Sequence, residues 1–397
     1  MRILYIYQTA TIHNFSSVQN KIISQIKAAN LLGQNVTGLF FTTQKGEFPE
    51  VPNVHFYRIT EVNKGWFRSI RQNKNTYQEI RKVLKEIAKK EDKIYLRYWG
   101  IGMEMLRLAK EFKGKIIWNH LTAETKEIAM YSSDSPSIYS RFLSKIEFKW
   151  FPIFMDKTIG KFTRRYAGKA VVNSMDIAEF EQKMCLGKYE CAVIPDAVDS
   201  ANMQVAQLHP LSTPIRMVFL KGASGAAEYN GLDRLVRGIA EYAGELQFHL
   251  TIIGGDLIYE KALIQKYQAD AFVTLKAAML KNEIDAEIGN YNLAVGQLGM
   301  HKKGIRSNST LKTREYFARG IPFIFAHHDP DFSDSKEALK YCLELPADDK
   351  PIDLHVVLDF LNKVYKIENV GEKMHNYAIE YLDYSAKMKQ IVDFILR

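Results

Sequence analysis

The order of apolar and polar positions along the chain predicts alternating strands and helices. Residues 2–7 form a short apolar run typical of a buried strand, and apolar residues then recur at helical spacing from Ser17 to Leu32. A second strand is predicted at 36–41, which completes a β-α-β unit. Further strands in this half of the chain are predicted at 54–58, 93–97, 115–119 and 169–172. This alternation predicts a parallel α/β domain up to about residue 200.

The same alternation begins again after a polar stretch at 199–213. Strands are predicted at 216–220, 249–253, 273–275, 294–296 and 323–325. A chain of 397 residues is long enough for two such domains. We therefore predict an α/β protein of two Rossmann-like, doubly wound domains that face each other across a cleft. Their predicted limits are 1–200 and 201–375, and a C-terminal helix at 376–397 is expected to cross back to the first domain.

A short helix near residue 310 is predicted to bind an anion. Ser309 is a suitable N-cap, and Gly320 followed by Pro322 ends the helix before the strand at 323–325. This places Lys312 in the first turn, where free backbone N–H groups and the positive end of the helix dipole attract negative charge. A phosphate group suits this position.

The composition excludes several other classes of protein. Apolar residues make up 47% of the chain, and no apolar run approaches the roughly 20 residues that span a bilayer. The N-terminal residues form a strand-like run and do not resemble a signal peptide, so a cytoplasmic location is expected. The three cysteines, Cys185, Cys191 and Cys342, lack the spacing of a metal or redox motif, which predicts buried thiols.

The net charge of +9 is concentrated in the N-terminal half. The segment from Lys64 to Lys90 contains nine basic and two acidic residues, and the segment from Arg141 to Lys169 contains eight basic and two acidic residues. The second of these segments also contains several aromatic residues between Phe142 and Tyr166. Such a face would suit an anionic membrane surface, and the alternative is an amphipathic helix packed on its own domain. Nucleic acid is not expected as a partner, because no known binding module accompanies the basic residues.

Several segments, in this order, resemble the donor domain of GT-B-fold glycosyltransferases, close to the family-4 type that makes bacterial surface glycans. They are Ile194 to Asp199, Asn230 to Leu235, Ile252 to Gly255, Gly296 to Gly304 and Leu311 to Pro322. Each segment is short, but their fixed order is much more specific than any one of them.

The resemblance implies a nucleotide-sugar donor, a UDP- or GDP-sugar, and neither a metal nor another cofactor. Glu315 would accept hydrogen bonds from the ribose hydroxyls. The helix start would hold the diphosphate through backbone N–H groups, with cations nearby. The implied donor-binding residues are Lys221, Gly222, Gly254, His301, Lys302, Lys303, Ser309, Thr310, Leu311, Lys312 and Glu315.

Two catalytic positions are implied as well. His120 follows a predicted strand at the place of the family's cleft histidine, and His13 and Glu124 are further candidates. Ser307 stands eight residues before Glu315, where the family has a second glutamate near the transferred sugar. A second departure is Asn230, which stands before Gly231 where the family has a lysine. The adjacent pair His327–His328 is interpreted as part of a loop, because neighbouring side chains on an extended segment point apart and so do not share a metal.

The sequence is therefore interpreted as a cytoplasmic, metal-independent glycosyltransferase that acts with retention in surface polysaccharide or glycoconjugate synthesis. Its acceptor is expected to be a glycan or a lipid- or protein-linked group bound by the N-terminal domain, on the inner face of the cell membrane if the basic face binds lipid. Two alternatives stay open. One is a non-catalytic, glycosyltransferase-like partner or glycan-binding subunit, and the other is a nucleotide-sugar epimerase of the same fold.

Overall fold

The structure is a computed structural model that describes residues 1–9, 12, 17–62, 68–99, 102–121, 149–222 and 228–397. The candidates His13 and Glu124 lie outside the described residues, as does the aromatic part of the basic segment before residue 149. The chain divides into two compact units. Unit 1 contains Met1–Ile194 and Met388–Arg397, and unit 2 contains Pro195–Lys387.

The described part of unit 1 is built on a seven-stranded parallel sheet with the order β3-β2-β1-β4-β5-β6-β7. The strands are β1 (Ile3–Gln8), β2 (Val36–Thr42), β3 (Val54–Arg58), β4 (Lys93–Arg97), β5 (Ile116–His120), β6 (Lys169–Val172) and β7 (Glu190–Val193). The helices are α1 (Ser17–Leu31), α2 (Arg68–Ile87), α3 (Met103–Glu111), α4 (Phe151–Met155), α5 (Lys161–Ala167) and α6 (Met175–Met184). Strands extend in both directions from β1, which confirms the doubly wound prediction.

The alternation of side chains along β1 explains why both faces of this sheet are buried. Leu4 and Ile6 pack with residues of α2, α3 and α6 on one face. Ile3 and Tyr5 pack on the other face with α1 and with apolar residues from Met388 onward. Successive strand residues point to opposite sides, so a continuous apolar run serves two cores.

A buried ionic network connects α5 to α6 in unit 1. The Arg164 guanidinium donates to both carboxylate oxygens of Glu181, at 2.6 and 3.0 Å, and to Asp156 Oδ1 at 2.5 Å. All three side chains are fully buried. Asp156 begins a π-helical turn, Asp156–Gly160, between α4 and α5. A Cβ on Gly160 would lie 2.5 Å from Asp156 Oδ1, so glycine is required where this ion pair passes the backbone.

The described part of unit 2 contains a six-stranded parallel sheet with the order β10-β9-β8-β11-β12-β13. The strands are β8 (Ile215–Leu220), β9 (Phe248–Ile253), β10 (Val273–Lys276), β11 (Leu293–Val295), β12 (Phe323–Phe325) and β13 (Cys342–Glu344). The helices are α7 (Leu232–Glu241), α8 (Ile258–Tyr267), α9 (Lys281–Glu287), α10 (Leu311–Ala318), α11 (Leu354–Val364) and α12 (Val370–Tyr381). The last helix, α13 (Tyr384–Leu396), begins in unit 2 and belongs to unit 1 from Met388 onward. The expected class, two parallel α/β domains, is confirmed.

The C-terminal region differs from its prediction in one respect. The expected single helix at 376–397 is wrong, because α12 ends at Tyr381 and α13 begins at Tyr384. Asp383 lies between the two helices, and its carboxylate accepts hydrogen bonds from the backbone N–H groups of Ser200 and Ser385. These contacts fix the break, and Ser200 is distant from it in sequence.

Two strands, β7 and β13, are missing from the sequence prediction. Both lie at the edge of a sheet and both are short. The residues of β7 are half-buried or exposed, so this strand carries no clear apolar run. An edge strand packs against fewer neighbours, and its pattern is correspondingly weak.

The buried network makes unit 1 sensitive to one substitution. We predict that Arg164→Met lowers the free energy of unfolding of unit 1 by about 3–5 kcal/mol, because Glu181 and Asp156 remain as buried charges without their cation. All four tryptophans, Trp66, Trp99, Trp118 and Trp150, lie in unit 1, so urea unfolding followed by tryptophan fluorescence reports on this unit. The control is Arg165→Met at the exposed neighbouring position, with an expected change within about 0.5 kcal/mol. Equal stability of the two variants would contradict the role given to the network.

Candidate nucleotide-sugar site

Many of the predicted donor-site residues lie where strands of unit 2 end. Lys221 follows β8, Gly254 follows β9, and the turn with His301 comes shortly after β11. The carboxyl ends of parallel strands meet at one edge of a sheet, which is where ligands bind in folds of this kind. Lys221 and Gly254 touch, since a Cβ on Gly254 would lie 2.5 Å from the Lys221 Cβ, and Gly222 is exposed beside them.

The start of α10 is formed differently from the prediction. Thr310 is the N-cap, with extended backbone angles, and α10 begins at Leu311. The predicted cap, Ser309, is wrong, because its hydroxyl accepts a hydrogen bond from the distant Asp196 N–H at 2.8 Å. The Thr310 side chain makes no capping bond, and its hydroxyl lies 2.9 Å from that of Thr313. The first-turn N–H groups of α10 are thus not capped by Thr310, and a helix start offers such groups to an anion.

Lys312 lies in this first turn and is half-buried. Its ammonium group is 3.6 Å from the ring centroid of Phe219, a residue of β8. Burial lowers the pKa of Lys312 to about 7, while the charge of Glu315 acts in the opposite direction. The positive charge of Lys312 therefore lowers the stability of the folded protein, and a bound anion would reduce this loss.

Glu315 lies one turn further along α10, and 38% of its side chain is exposed. Burial raises the pKa of this carboxyl, and the charge of Arg319 opposes that shift. Arg319 lies 3.6 Å from Glu315 but is held more closely by Asp285, at 2.8 and 2.9 Å. The carboxylate thus has one loose ionic contact within its helix, and ribose recognition by Glu315 stays a prediction.

Arg314 fixes the start of α10, although no pattern in the sequence indicates this role. Its guanidinium is fully buried and binds both carboxylate oxygens of Asp329, at 2.7 and 2.8 Å, and one oxygen of Asp331 at 2.7 Å. It also donates to the carbonyl groups of Thr310 and Asp196. Burial alone would lower the pKa of Arg314, but the two aspartates outweigh it and raise the pKa. A buried charge that is paired in this way holds one geometry.

The same pairing accounts for the acidic residues near His327 and His328. Asp329 and Asp331 are occupied by Arg314, and Lys387 binds Asp331 as well. A sequence signal was present, since two acidic residues stand close together in the loop that follows a buried strand. Their partner was not identifiable, because an arginine inside a short helix usually lies on the surface.

Lys221 is already engaged in an ion pair. Its ammonium group is 2.8 Å from Glu260 Oε2 and also donates to the Asp256 carbonyl, and only 4% of the side chain is exposed. The charge of Lys221 is thus largely neutralised within unit 2. Its expected role beside the diphosphate stays a prediction that requires this pair to open.

The three basic residues after β11 lie on a 3-10 turn, Met300–Lys303. Each has a contact within unit 2. His301 is 3.0 Å from Asp349, Lys302 is 2.6 Å from Asp233, and the Lys303 ammonium lies 4.0 Å from the Tyr229 ring centroid. The two aspartates offset part of the positive charge that the turn offers to a ligand, while Lys303 keeps its charge over the neutral ring.

Ser307 and His120 lie in different units. Ser307 is 4% exposed and forms an isolated parallel bridge with His328. His120 ends β5 in unit 1, as expected for a residue at a strand end, but its side chain is fully buried. Its Nε2 lies 3.1 Å from Glu181, and burial lowers the pKa of His120 to about 4. His120 is therefore part of the buried network of Arg164, and its catalytic role stays a prediction.

Comparison with solved structures identifies the fold. The sucrose-phosphate synthase of Thermosynechococcus elongatus matches with a TM-score of 0.65 at 12% identity, over 99% of this chain and 98% of that one. The lipopolysaccharide outer core galactosyltransferase WaaB matches with a TM-score of 0.63 at 14% identity, over 100% and 99%. HepE of Anabaena, in complex with UDP and glucose, matches with a TM-score of 0.60 at 12% identity, over 100% and 99%.

The protein therefore has the fold of GT-B glycosyltransferases, two doubly wound α/β domains. No protein-family model and no curated protein sequence matches the chain. Among the residues that the structure describes, no helix is long and apolar enough to cross a membrane.

The half-buried charge of Lys312 leads to a prediction about stability. We expect Lys312→Met to raise the free energy of unfolding by about 1–2 kcal/mol at pH 7, a value discounted for the part of the side chain that reaches solvent. The pKa of Lys312 is lowered to about 7 in the folded protein and is about 10.4 in an unfolded chain. The folded state therefore loses its proton first, and the cost is complete below pH 7 and disappears as the pH approaches 10.

The measurement is the difference in urea unfolding between the wild type and the variant, followed by circular dichroism from pH 6 to pH 10. The control is Lys266→Met, since the exposed Lys266 also lies over an aromatic ring, that of Tyr267, at 5.0 Å. A difference for Lys312→Met that does not change with pH, or that equals the control, would show that Lys312 carries no strained charge.

Proposed function

We propose that this protein is a glycosyltransferase that moves a sugar, with retention, from a UDP- or GDP-sugar to a glycan or a lipid- or protein-linked acceptor. The observation that carries the proposal is the start of α10. It combines backbone N–H groups that Thr310 does not cap, the half-buried ammonium of Lys312 and the carboxylate of Glu315 within two turns. A nucleoside diphosphate needs both kinds of group, cations and N–H donors for its phosphates and an acceptor for its ribose.

The similar structures support a nucleotide sugar as the donor. HepE of Anabaena has been solved with UDP, with UDP and glucose, and with UDP-glucose. Its identity to this chain is 12%, so this likeness concerns the fold. In unit 2 of this chain, the helix dipole and Lys312 would stabilise the departing diphosphate as its negative charge develops.

Within this proposal the N-terminal unit binds the acceptor in surface polysaccharide or glycoconjugate synthesis. A retaining transfer in which the acceptor attacks from the side of the leaving group depends on position and on charge stabilisation more than on a strong base. This suits a chain with serine at position 307 and with His120 buried in an ionic network.

The alternative of a non-catalytic partner subunit is favoured by one observation. Lys221 forms an ion pair with Glu260, so one of the cations expected to bind the phosphates already has a partner. A partner subunit of this kind would bind a nucleotide sugar or a glycan without transferring the sugar, whereas an epimerase would convert a nucleotide sugar without an acceptor.

The proposal is tested by a panel of UDP- and GDP-sugars with detection of the released nucleotide, and by calorimetric binding of UDP and GDP. We expect one nucleoside diphosphate to bind and Glu315→Ala to weaken it about tenfold, which corresponds to about 1.4 kcal/mol. The matched control is Glu241→Ala on α7, where the carboxylate also contacts an arginine of its own helix, Arg237 four residues before it, at 2.9 Å. The absence of any nucleotide binding would overturn the proposal, and equal affinity in the wild type and Glu315→Ala would remove the ribose assignment.

We further propose that the helical segment 151–167 and its N-terminal neighbours bind an anionic membrane surface at the inner face of the cell membrane. Trp150, Phe154 and Phe162 are 52%, 61% and 45% exposed. Apart from the buried Arg164, the cations on the same segment are Lys149, Lys157, Lys161 and Arg165, and none of these four forms an ion pair with a described residue. Its one acid, Asp156, is buried against Arg164. Aromatic residues beside unpaired cations are suited to the boundary between lipid head groups and acyl chains.

Co-sedimentation with vesicles tests this surface. We expect binding to vesicles that contain phosphatidylserine, weaker binding at high salt, and a loss of at least about threefold in affinity for Phe154→Ser. The control is Leu31→Ser, which removes an apolar residue, 78% exposed, at the end of α1. No binding at low salt, or an equal effect of the two substitutions, would contradict the membrane proposal.

A further inference from the structure

A chain of three polar side chains leads from the loop before α10 to the surface of unit 2. Ser307 Oγ lies 3.3 Å from His328 Nδ1, and His328 Nε2 lies 3.0 Å from Asp334 Oδ1. The backbone holds the first two residues together, because His328 N–H donates to Arg306 O at 2.9 Å and Asn308 N–H donates to His328 O at 3.0 Å. The hydrogen-bonded side chains are therefore aligned by main-chain contacts on both sides.

The donor and acceptor roles of these three side chains follow from Asp334. The Asp334 carboxylate accepts from His328 Nε2, which therefore carries a proton, and in the tautomer protonated on Nε2 alone the Nδ1 atom is an acceptor. In that tautomer the Ser307 hydroxyl donates to Nδ1, and its oxygen is itself an acceptor. A hydroxyl held in this orientation can accept a hydrogen bond from a sugar.

These three hydrogen-bonded side chains lie close in sequence and in fold to the proposed diphosphate site. Ser307 precedes the N-cap Thr310 by three residues, which span at most about 11 Å of extended chain. A sugar attached to a diphosphate at the helix start would lie in the same region. His328 reaches the same loop from the carboxyl end of β12, and all of these residues belong to unit 2.

The pair of His328 and Asp334 contributes little to the stability of the fold. The side chains of His328 and Asp334 are 36% and 65% exposed, and ion pairs at such exposed positions stabilise a protein only slightly. The adjacent His327 is 2% exposed, and its Nδ1 lies 3.4 Å from the Gln297 carbonyl, so it belongs to the interior. The two histidines thus have different surroundings, and His328 is the accessible one.

We propose that His328, oriented by Asp334, and the Ser307 hydroxyl contact the transferred sugar and determine which sugar this protein accepts. The inference rests on the proposed function. A glutamate at position 307 would offer only acceptors to the sugar hydroxyls, whereas a hydroxyl and an imidazole offer donors as well, in a direction that their mutual hydrogen bond fixes. The preferred sugar therefore depends on a histidine that comes from a different loop.

The experiment compares the affinity for a nucleotide sugar with the affinity for its nucleoside diphosphate, using the donor that binds best in the panel described above. For His328→Ala we expect an affinity for the nucleotide sugar about tenfold weaker and an affinity for the diphosphate unchanged within about twofold. The ratio of kcat/KM between two sugars on the same nucleotide should also change. Ser307→Ala should act in the same direction, and Asp334→Asn more weakly.

The control variant is His249→Ala. His249 also contacts a hydroxyl, that of Thr274 at 2.9 Å, but lies near the amino end of β9, at the opposite edge of the sheet. If His328→Ala does not fold, His328→Gln keeps a similar shape and should still change the ratio between sugars.

Two results overturn the inference while leaving the proposed function intact. One is an equal loss of affinity for the nucleotide sugar and for the diphosphate, which would place His328 at the phosphates. The other is an unchanged affinity for both together with unchanged sugar preference. If the wild type binds neither ligand, the proposed function itself fails, and this inference fails with it.

Discussion

The buried guanidinium of Arg314 is the interaction on which the candidate site depends. It joins the first turn of α10, through Thr310 O, to Asp329 and Asp331 in the loop after β12. A guanidinium that is shielded from water must direct each of its N–H groups to an acceptor, and these directions are fixed. The loop before α10 and the loop after β12 therefore adopt one relative position. Lys312 in the first turn, Ser307 before it and His328 on the facing loop all take their places from this arrangement.

Two features of the candidate site lower the stability of unit 2. Lys312 keeps a charge that burial disfavours, and the first turn of α10 lacks a capping bond from Thr310. Elsewhere in the described chain, buried charges are carefully paired, as in Arg164 with Glu181 and Lys221 with Glu260. Local departures of this kind from otherwise consistent design are typical of functional sites. This contrast supports an anion at α10 more strongly than the basic composition does.

Much of the fold was predictable from the apolar pattern. The strands β3, β4, β6 and β12 have the predicted bounds, and their parallel pairing follows from the alternation of strands with helices. The failures have physical causes. The edge strands β7 and β13 are short and weakly patterned, and Ser309 is not the N-cap because its hydroxyl is used by Asp196. A hydrogen bond between residues so far apart in sequence leaves no local signal.

The sequence by itself determined the two doubly wound domains and the position of Lys312 and Glu315 in one short helix, because periodicity and helix ends are local properties. Only the tertiary structure decided which charged groups are available. It places Lys221 against Glu260, buries His120 beside Glu181, and brings His328 to Ser307. Each of these pairs joins residues from separate elements, and their ionisation depends on burial and on neighbours that the packing of the whole domain supplies.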